Sequence, residues 1–487
     1  MKSMALRFTN SFACLPDNFF VRTDPEPLDD CHLIDLNNKV ADFLGLNSGF
    51  CQSAYFVDYL NGQQKHPEFD PLAAVYAGHQ FGHYVPQLGD GRAILLGEIT
   101  TDANQTWELQ SKGSGLTQFS RSGDGRAVLR STIREYLCST AMDGLGIPST
   151  HALCMMASST DVYRERVEKA ALLIRIAPSF VRFGSFEYFH YQSRPDLVKI
   201  LADYVIKQQY PAFFGKVNSY FLFFQEVIRS TAELIAKWQA VGFAHGVMNT
   251  DNMSILGLTL DFGPFGFLDE YNPDYICNHS DHSGRYAFKR QATIGLWNLH
   301  RLAEALCSII PMQQAIDALA DYEKIFSRHF FQLMGEKLGL KERDKEVLTI
   351  INQLLSLLES NRVDYTVFFR SLASFDQAAG SSNLLIRNQF TDRDAFDAWA
   401  EKYQRQLVKE SSDNRTRALL MNLHNPKYIL RNYLAQIVIE KAERGDYSVI
   451  SILQKLLQNP FDEHLEHEEY AQTPPDWAKE IVISCSS

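Results

Sequence analysis

The hydrophobic period of the sequence changes near residue 190, and that switch constrains the fold more than any other feature. Before it, short apolar runs alternate with glycine-rich turns. Ala93–Glu98, Thr106–Ser111 and Ala170–Ile176 read as strands, the last as a fully buried one. Between them, Leu129–Leu145 reads as an amphipathic helix closed by Gly146 and Pro148. After the switch, Leu197–Val205, Phe221–Val241 and Gln291–Ser308 place apolar residues three and four apart. Val347, Ile350, Ile351, Leu354, Leu355 and Leu358 form another such stripe, read as core packing. A β-rich part followed by a helical part predicts an α+β, two-lobed architecture.

Residues 1–70 carry turn formers such as Pro16-Asp17-Asn18 and Pro25-Glu26-Pro27, and read as an irregular extension packing on the first lobe. The expected division is therefore 1–70 extension, 71–188 β-rich first lobe, 189–420 helical second lobe and 421–487 helical tail ending in Cys485. The net charge of −11 argues against a nucleic-acid binder, which needs a basic face to neutralise phosphates. No apolar run approaches the roughly 18–20 residues that span a bilayer, so no membrane partner is expected. The opening twenty residues lack the pattern of a signal peptide. The eight cysteines are scattered without a C-x-x-C pair, which fits reduced thiols in a cytoplasmic protein.

The strongest chemical constellation is His245-Gly246-Val247-Met248-Asn249-Thr250-Asp251-Asn252, followed by Leu260-Asp261-Phe262-Gly263. Its spacing resembles the kinase catalytic loop and the metal-binding turn after it. Asn252 offers an amide oxygen and Asp261 a carboxylate, hard ligands of the kind that hold Mg²⁺ against ATP phosphates. A hairpin over 254–260 would bring the two together. Val247 stands where a kinase has its catalytic aspartate, but Asp251 offers a carboxylate from a different angle.

The cationic side comes from the first lobe. Strand alternation places Glu108, Gln110 and Lys112 on one face, and Glu135 on the following helix is a partner for Lys112. Arg175 and Arg182 flank an apolar strand end, where each must meet an anion or a structural salt bridge. The glycine-rich turns Gly89-Asp90-Gly91-Arg92 and Gly123-Asp124-Gly125-Arg126 could present backbone N–H groups to phosphate, although Asp-Gly alone is an ordinary tight turn. The pairs His79/His83 and His279/His282 lack a third ligand at zinc spacing and read as turn or packing residues.

Three long stretches carry a wider likeness: Tyr76-Ala77-Gly78-His79-Gln80-Phe81-Gly82 through Arg92, Gln110-Ser111-Lys112-Gly113-Ser114-Gly115, and Ser120 through Arg126. With 245–252, Asp261-Phe262-Gly263-Pro264 and Asn425-Pro426, they resemble the selenoprotein O (YdiU) family over nearly the whole chain. The resemblance implies a protein-kinase-like fold that binds ATP in a flipped orientation and adenylylates Ser, Thr or Tyr hydroxyls of proteins. It implies ATP contacts from Gly89, Gly91, Arg92, Lys112, Asp124, Gly125, Arg175, Arg182 and Asp261. Asn252 and Asp261 would hold Mg²⁺, with Mn²⁺ as the alternative, and Asp251 would be the general base. Animal members carry selenocysteine near the C-terminus; Ser484-Cys485-Ser486-Ser487 has sulfur there, with Cys277 as a candidate disulfide partner for redox control. The competing readings are an ordinary phosphotransferase, which Val247 disfavours, and a nucleotide-binding pseudokinase scaffold, which has no need of both metal ligands.

Overall fold

A computed structural model describes residues 8–483 of the chain. The first part is built on an antiparallel sheet of nine strands. Its centre holds β1 (Ala93–Thr100), β2 (Thr106–Lys112), β3 (His151–Tyr163) and β4 (Val167–Ala177), in the spatial order β1-β2-β4-β3. Leu72–Ala74 and Phe20–Arg22 extend the sheet beyond β1, and His32–Leu36 closes the edge beside β3. The three strands expected from the sequence are present. The thirteen residues of β3 were not expected, because it lies between two strands and its first half is buried on both faces. A strand buried on both sides loses the alternation that marks a half-exposed one.

The chain from residue 8 to 70 is more regular than its turn formers suggest. It contains three short helices, Asn38–Phe43, Ser48–Cys51 and Ala54–Asn61. Each starts at a side chain, Asn37, Asn47 or Ser53, that accepts hydrogen bonds from free N–H groups of the first turn. The residues that cap helices are those that signal turns, and helices this short show no sustained period. Their apolar side chains, including Val40, Leu44, Phe56 and Leu60, pack with Ile94, Leu96, Leu109 and Ile174 on one face of the sheet.

The opposite face carries α1 (Leu129–Gly144), whose Leu129, Ile133, Leu137 and Ala141 join the largest core. That core continues into α2 (Phe183–Tyr191), α3 (Ser219–Val241) and α4 (Gln291–Ala305). It also takes in α5 (Asn432–Ala442) and α6 (Ser448–Gln458), which pack back onto α1. Tyr136 on α1 ties these layers together, donating to Asp35 at 2.7 Å and accepting from Gln454 at 2.5 Å. A second core forms around the helix Lys345–Asn361, where Val347, Ile350, Ile351, Leu354 and Leu358 pack with Phe368, Trp399 and Tyr403.

Among the described residues no helix is long and apolar enough to cross a membrane. Cys277 is buried, with its thiol donating to the Ala244 carbonyl at 3.5 Å. Its expected pairing with Cys485 falls outside the described residues.

Candidate active site

Helix α3 ends at Gly242, whose φ of +79° lets the chain reverse at once into the strand Phe243–Ala244. That strand pairs with Gly266–Phe267, so both ends of the segment 245–265 are fixed side by side. Within it Thr250–Asn252 makes one tight helical turn, and a bridge between Met253 and Thr259 folds the intervening residues back. The turn bearing Asp251 and Asn252 and the loop bearing Asp261 are thereby brought together. A single nitrogen of Arg182 spans them, donating to the Asp251 main-chain oxygen at 2.7 Å and to Asp261 Oδ2 at 2.5 Å.

Asp261 is the hub of the cationic residues. Its Oδ1 accepts from Arg175 at 2.6 Å and from Lys112 at 3.3 Å. Lys112 also donates to Glu135 Oε2 at 2.6 Å, and Arg175 to Glu135 Oε1 at 2.9 Å and Gln110 at 2.8 Å. The pleat of β2 explains the geometry, since Gln110 and Lys112 share a face and β4 lies alongside with Arg175 opposite Gln110. Burial would raise the Asp261 pKa, but Arg182, Arg175 and Lys112 hold it well below the usual carboxylate range. Both arginines are thus met by carboxylates, the salt-bridge alternative left open by the sequence.

Asp251 has the opposite character. It is buried, and burial pushes its pKa up to about 6 against the smaller opposing effects of Gln80 and Arg182. Gln80 Nε2 donates to Asp251 Oδ2 at 3.1 Å, while Oδ1 is buried with no hydrogen-bond partner. Two carboxylates in one site are therefore held differently: one ionised among cations, the other poised to accept a proton.

Val247, in the usual aspartate position, is buried, and its carbonyl accepts from Asn252 Nδ2 at 3.0 Å. That bond turns the amide oxygen of Asn252 the other way. An amide oxygen and an ionised carboxylate fit a hard divalent ion that keeps several waters or phosphate oxygens. His245 is buried against Trp238, and burial lowers its pKa to about 4, so it is a neutral structural ring.

At the first of the two glycine turns several N–H groups are already committed. The N–H groups of Leu88 and Gly89 donate to Tyr76 O, and that of Asp90 to Ala74 O, so they close a turn rather than face a phosphate. Gly89 and Gly91 are required for space: a Cβ would lie 2.3 Å from the Phe119 ring at the first and 2.7 Å from Phe119 O at the second. At Gly125 (φ +69°) a Cβ would lie 1.9 Å from Gly115 O. The loop 113–126 after Lys112 therefore packs on the 89–91 turn, secured by Thr117 donating to Asp90 O at 2.7 Å. Asp124 holds Arg164 with two bonds of 2.8 and 2.9 Å, which lowers its pKa. Arg92 lies at the head of β1, where its carbonyl accepts from Gly113 N–H at 2.7 Å. Lys112, Arg175, Arg182, Asp251, Asn252 and Asp261 thus form one cluster, and Gly89, Gly91, Arg92, Asp124 and Gly125 frame the loop beside it.

Sequence reasoning gave no role in the site to Gly78, Gly184 and Glu187, and read His79 only as a turn or packing residue. His79 Nδ1 lies 3.0 Å from Glu187, whose second oxygen accepts from Thr250 at 2.7 Å; the ring is committed to this pair. Gly78 and Gly184 allow close approach, since a Cβ on Gly78 would lie 2.5 Å from Asp251 Oδ1 and one on Gly184 2.0 Å from Ala77 O. The sequence signal for this region was the Tyr76–Gly82 stretch, quoted for the family likeness without a role for its residues. Glu187 was hidden in an aromatic helix.

Comparison with known proteins places the whole chain in a family. Residues 2–459 match the family model of the protein adenylyltransferase SelO. The chain is 52% identical over 488 residues to a protein nucleotidyltransferase YdiU of Thioalkalivibrio sulfidiphilus (strain HL-EbGR7), covering 99% of each chain. It is 50% identical over 482 residues to one of Myxococcus xanthus (strain DK1622), again covering 99% of each. The chain belongs to the SelO family of protein adenylyltransferases.

Proposed function

We propose that the chain transfers AMP from ATP to Ser, Thr or Tyr hydroxyls of proteins, in a two-lobed, protein-kinase-like fold divided at about residues 70, 188 and 420. The observation that carries the reading is the contrast between the two carboxylates. Asp261 is ionised amid Lys112, Arg175 and Arg182, whereas Asp251 is buried, has raised basicity and keeps one oxygen uncommitted.

In this reading the three cations bind the ATP phosphates, and Gly89, Gly91, Arg92, Asp124 and Gly125 contact the nucleotide around the adjoining loop. Guanidinium groups already held in place lose little freedom when they meet phosphate oxygens. Asn252 and Asp261 hold Mg²⁺, or Mn²⁺ with the same ligands. When bound, the ion neutralises phosphate charge. The flipped nucleotide presents its α-phosphorus to the acceptor. Asp251 takes the hydroxyl proton as the acceptor oxygen bonds to that phosphorus, and the bond to pyrophosphate breaks. Val247 fits this reading, because a base for the γ-phosphorus is not required. A cytoplasmic setting supplies ATP and suits scattered thiols.

The test is isotopic. With a general protein acceptor, label from ATP carried at the α-phosphorus becomes covalently attached and label at the γ-phosphorus leaves as pyrophosphate. Attachment of the γ-label would identify a phosphotransferase instead.

A further inference from the structure

The segment Tyr76–Gly82 has no part in the chemistry above, yet the His79 N–H, the Gln80 amide and the Phe81 N–H are all committed to residues 249–251. Gly78–Gln80 pairs with His83–Val85 as a small hairpin. Its His79 N–H donates to Thr250 Oγ1 at 2.7 Å. The Phe81 N–H is shared between Asn249 Oδ1 at 3.2 Å and the Tyr286 hydroxyl at 2.9 Å, and Tyr286 itself donates to Asn249 at 2.5 Å. Main-chain donors on both sides of Gln80 thus fix the hairpin against residues 249–250, whatever side chain residue 80 carries.

Gln80 stands between those anchors and is the one side chain that donates to the Asp251 carboxylate among the described residues. A carboxylate turns readily about its last torsion, whose preference is broad. One bond at 3.1 Å to Oδ2 sets that torsion and leaves Oδ1 as the oxygen able to accept a proton. The neighbouring Arg182 does not serve this purpose, since it donates to the Asp251 main-chain oxygen rather than to the carboxylate. Gly78 completes the arrangement, because any Cβ there would sit 2.5 Å from Oδ1.

We infer that Gln80 is a positioning residue for the general base, presented by the 78–85 hairpin, which orients Asp251 so that Oδ1 faces the acceptor hydroxyl. The inference rests on Asp251 being the base. Misorientation of a catalytic group costs up to about 10²-fold in rate without affecting substrates bound elsewhere.

The test uses Gln80→Met, close in shape but without a donor, and Gln80→Ala, each alone and combined with Asp251→Asn. Either Gln80 variant should lower kcat for AMP transfer roughly 10- to 100-fold. The KM for ATP and the melting temperature should stay at wild-type values, which a general structural defect would not allow. In the Asp251→Asn background the same substitution should change the residual rate less than about twofold, because residues acting as a unit are not additive. Wild-type kcat in both Gln80 variants, a raised KM for ATP with kcat intact, or an equal fold-loss in the Asp251→Asn background would each overturn the role of Gln80 while leaving the base assignment standing. A wild-type rate in Asp251→Asn alone would overturn the base assignment and this inference with it.

Discussion

Asp251→Ala should cut AMP transfer to a small residual rate while ATP affinity and fold are retained. Loss of a general base costs roughly 10²–10⁴ in rate. Affinity is spared because the cations of the site converge on Asp261, and Arg182 reaches residue 251 only through its main-chain oxygen. Stability should be equal or higher in the variant. The wild-type carboxylate is buried with one oxygen unpartnered, and burial already raises its pKa to about 6, so folding bears the cost of keeping it charged near neutral pH. Transfer kinetics, calorimetry of ATP binding and a thermal melt check the three statements separately. Near-normal turnover would remove Asp251 from the mechanism.

Asp261→Ala should instead lose stability, ATP affinity and turnover together. Its carboxylate is the shared counter-ion of Lys112, Arg175 and Arg182, and both arginines are buried. Removing one member of a buried ion cluster costs roughly 3–5 kcal/mol, because the remaining charges stay desolvated without compensation. The melting temperature of the nucleotide-free protein should fall, and Mg²⁺ should no longer strengthen ATP binding. An unchanged dependence of ATP affinity on Mg²⁺, measured by calorimetry, would contradict the assignment of Asp261 as a metal ligand.

The difference between these two aspartates was only half legible in the sequence. Spacing alone placed Asp251, Asn252 and Asp261 in one segment, and strand alternation put Lys112 on the face of Gln110. Local pattern carries such information because a few residues of regular backbone determine direction. That Arg175 and Arg182 meet at Asp261 depends on sequence separations of 86 and 79 residues, and no local period encodes that. The hairpin on Asp251 is further still, joining residues 171 positions apart.

The fold divides in the same way. Long helices such as Ser219–Val241 declare themselves through period, and the stripe on Lys345–Asn361 is core as expected. The short helices between residues 38 and 61 and the doubly covered strand β3 do not, since one is too brief and the other too buried to show alternation. The glycines of 89–91 illustrate a different gap. Their spacing signals a special backbone, which Gly89 supplies with its φ of +68°, but only the packing of Phe119 shows that both glycines are also needed for space.

The most direct measurement for the account is a structure with Mg²⁺ and α,β-methylene-ATP, which cannot release pyrophosphate. The account predicts the α-phosphorus as the phosphorus nearest the Asp251 carboxylate, with the ion on Asn252 and Asp261. A γ-phosphorus nearest Asp251, with the α-phosphorus remote from it, would contradict adenylyl transfer through this site.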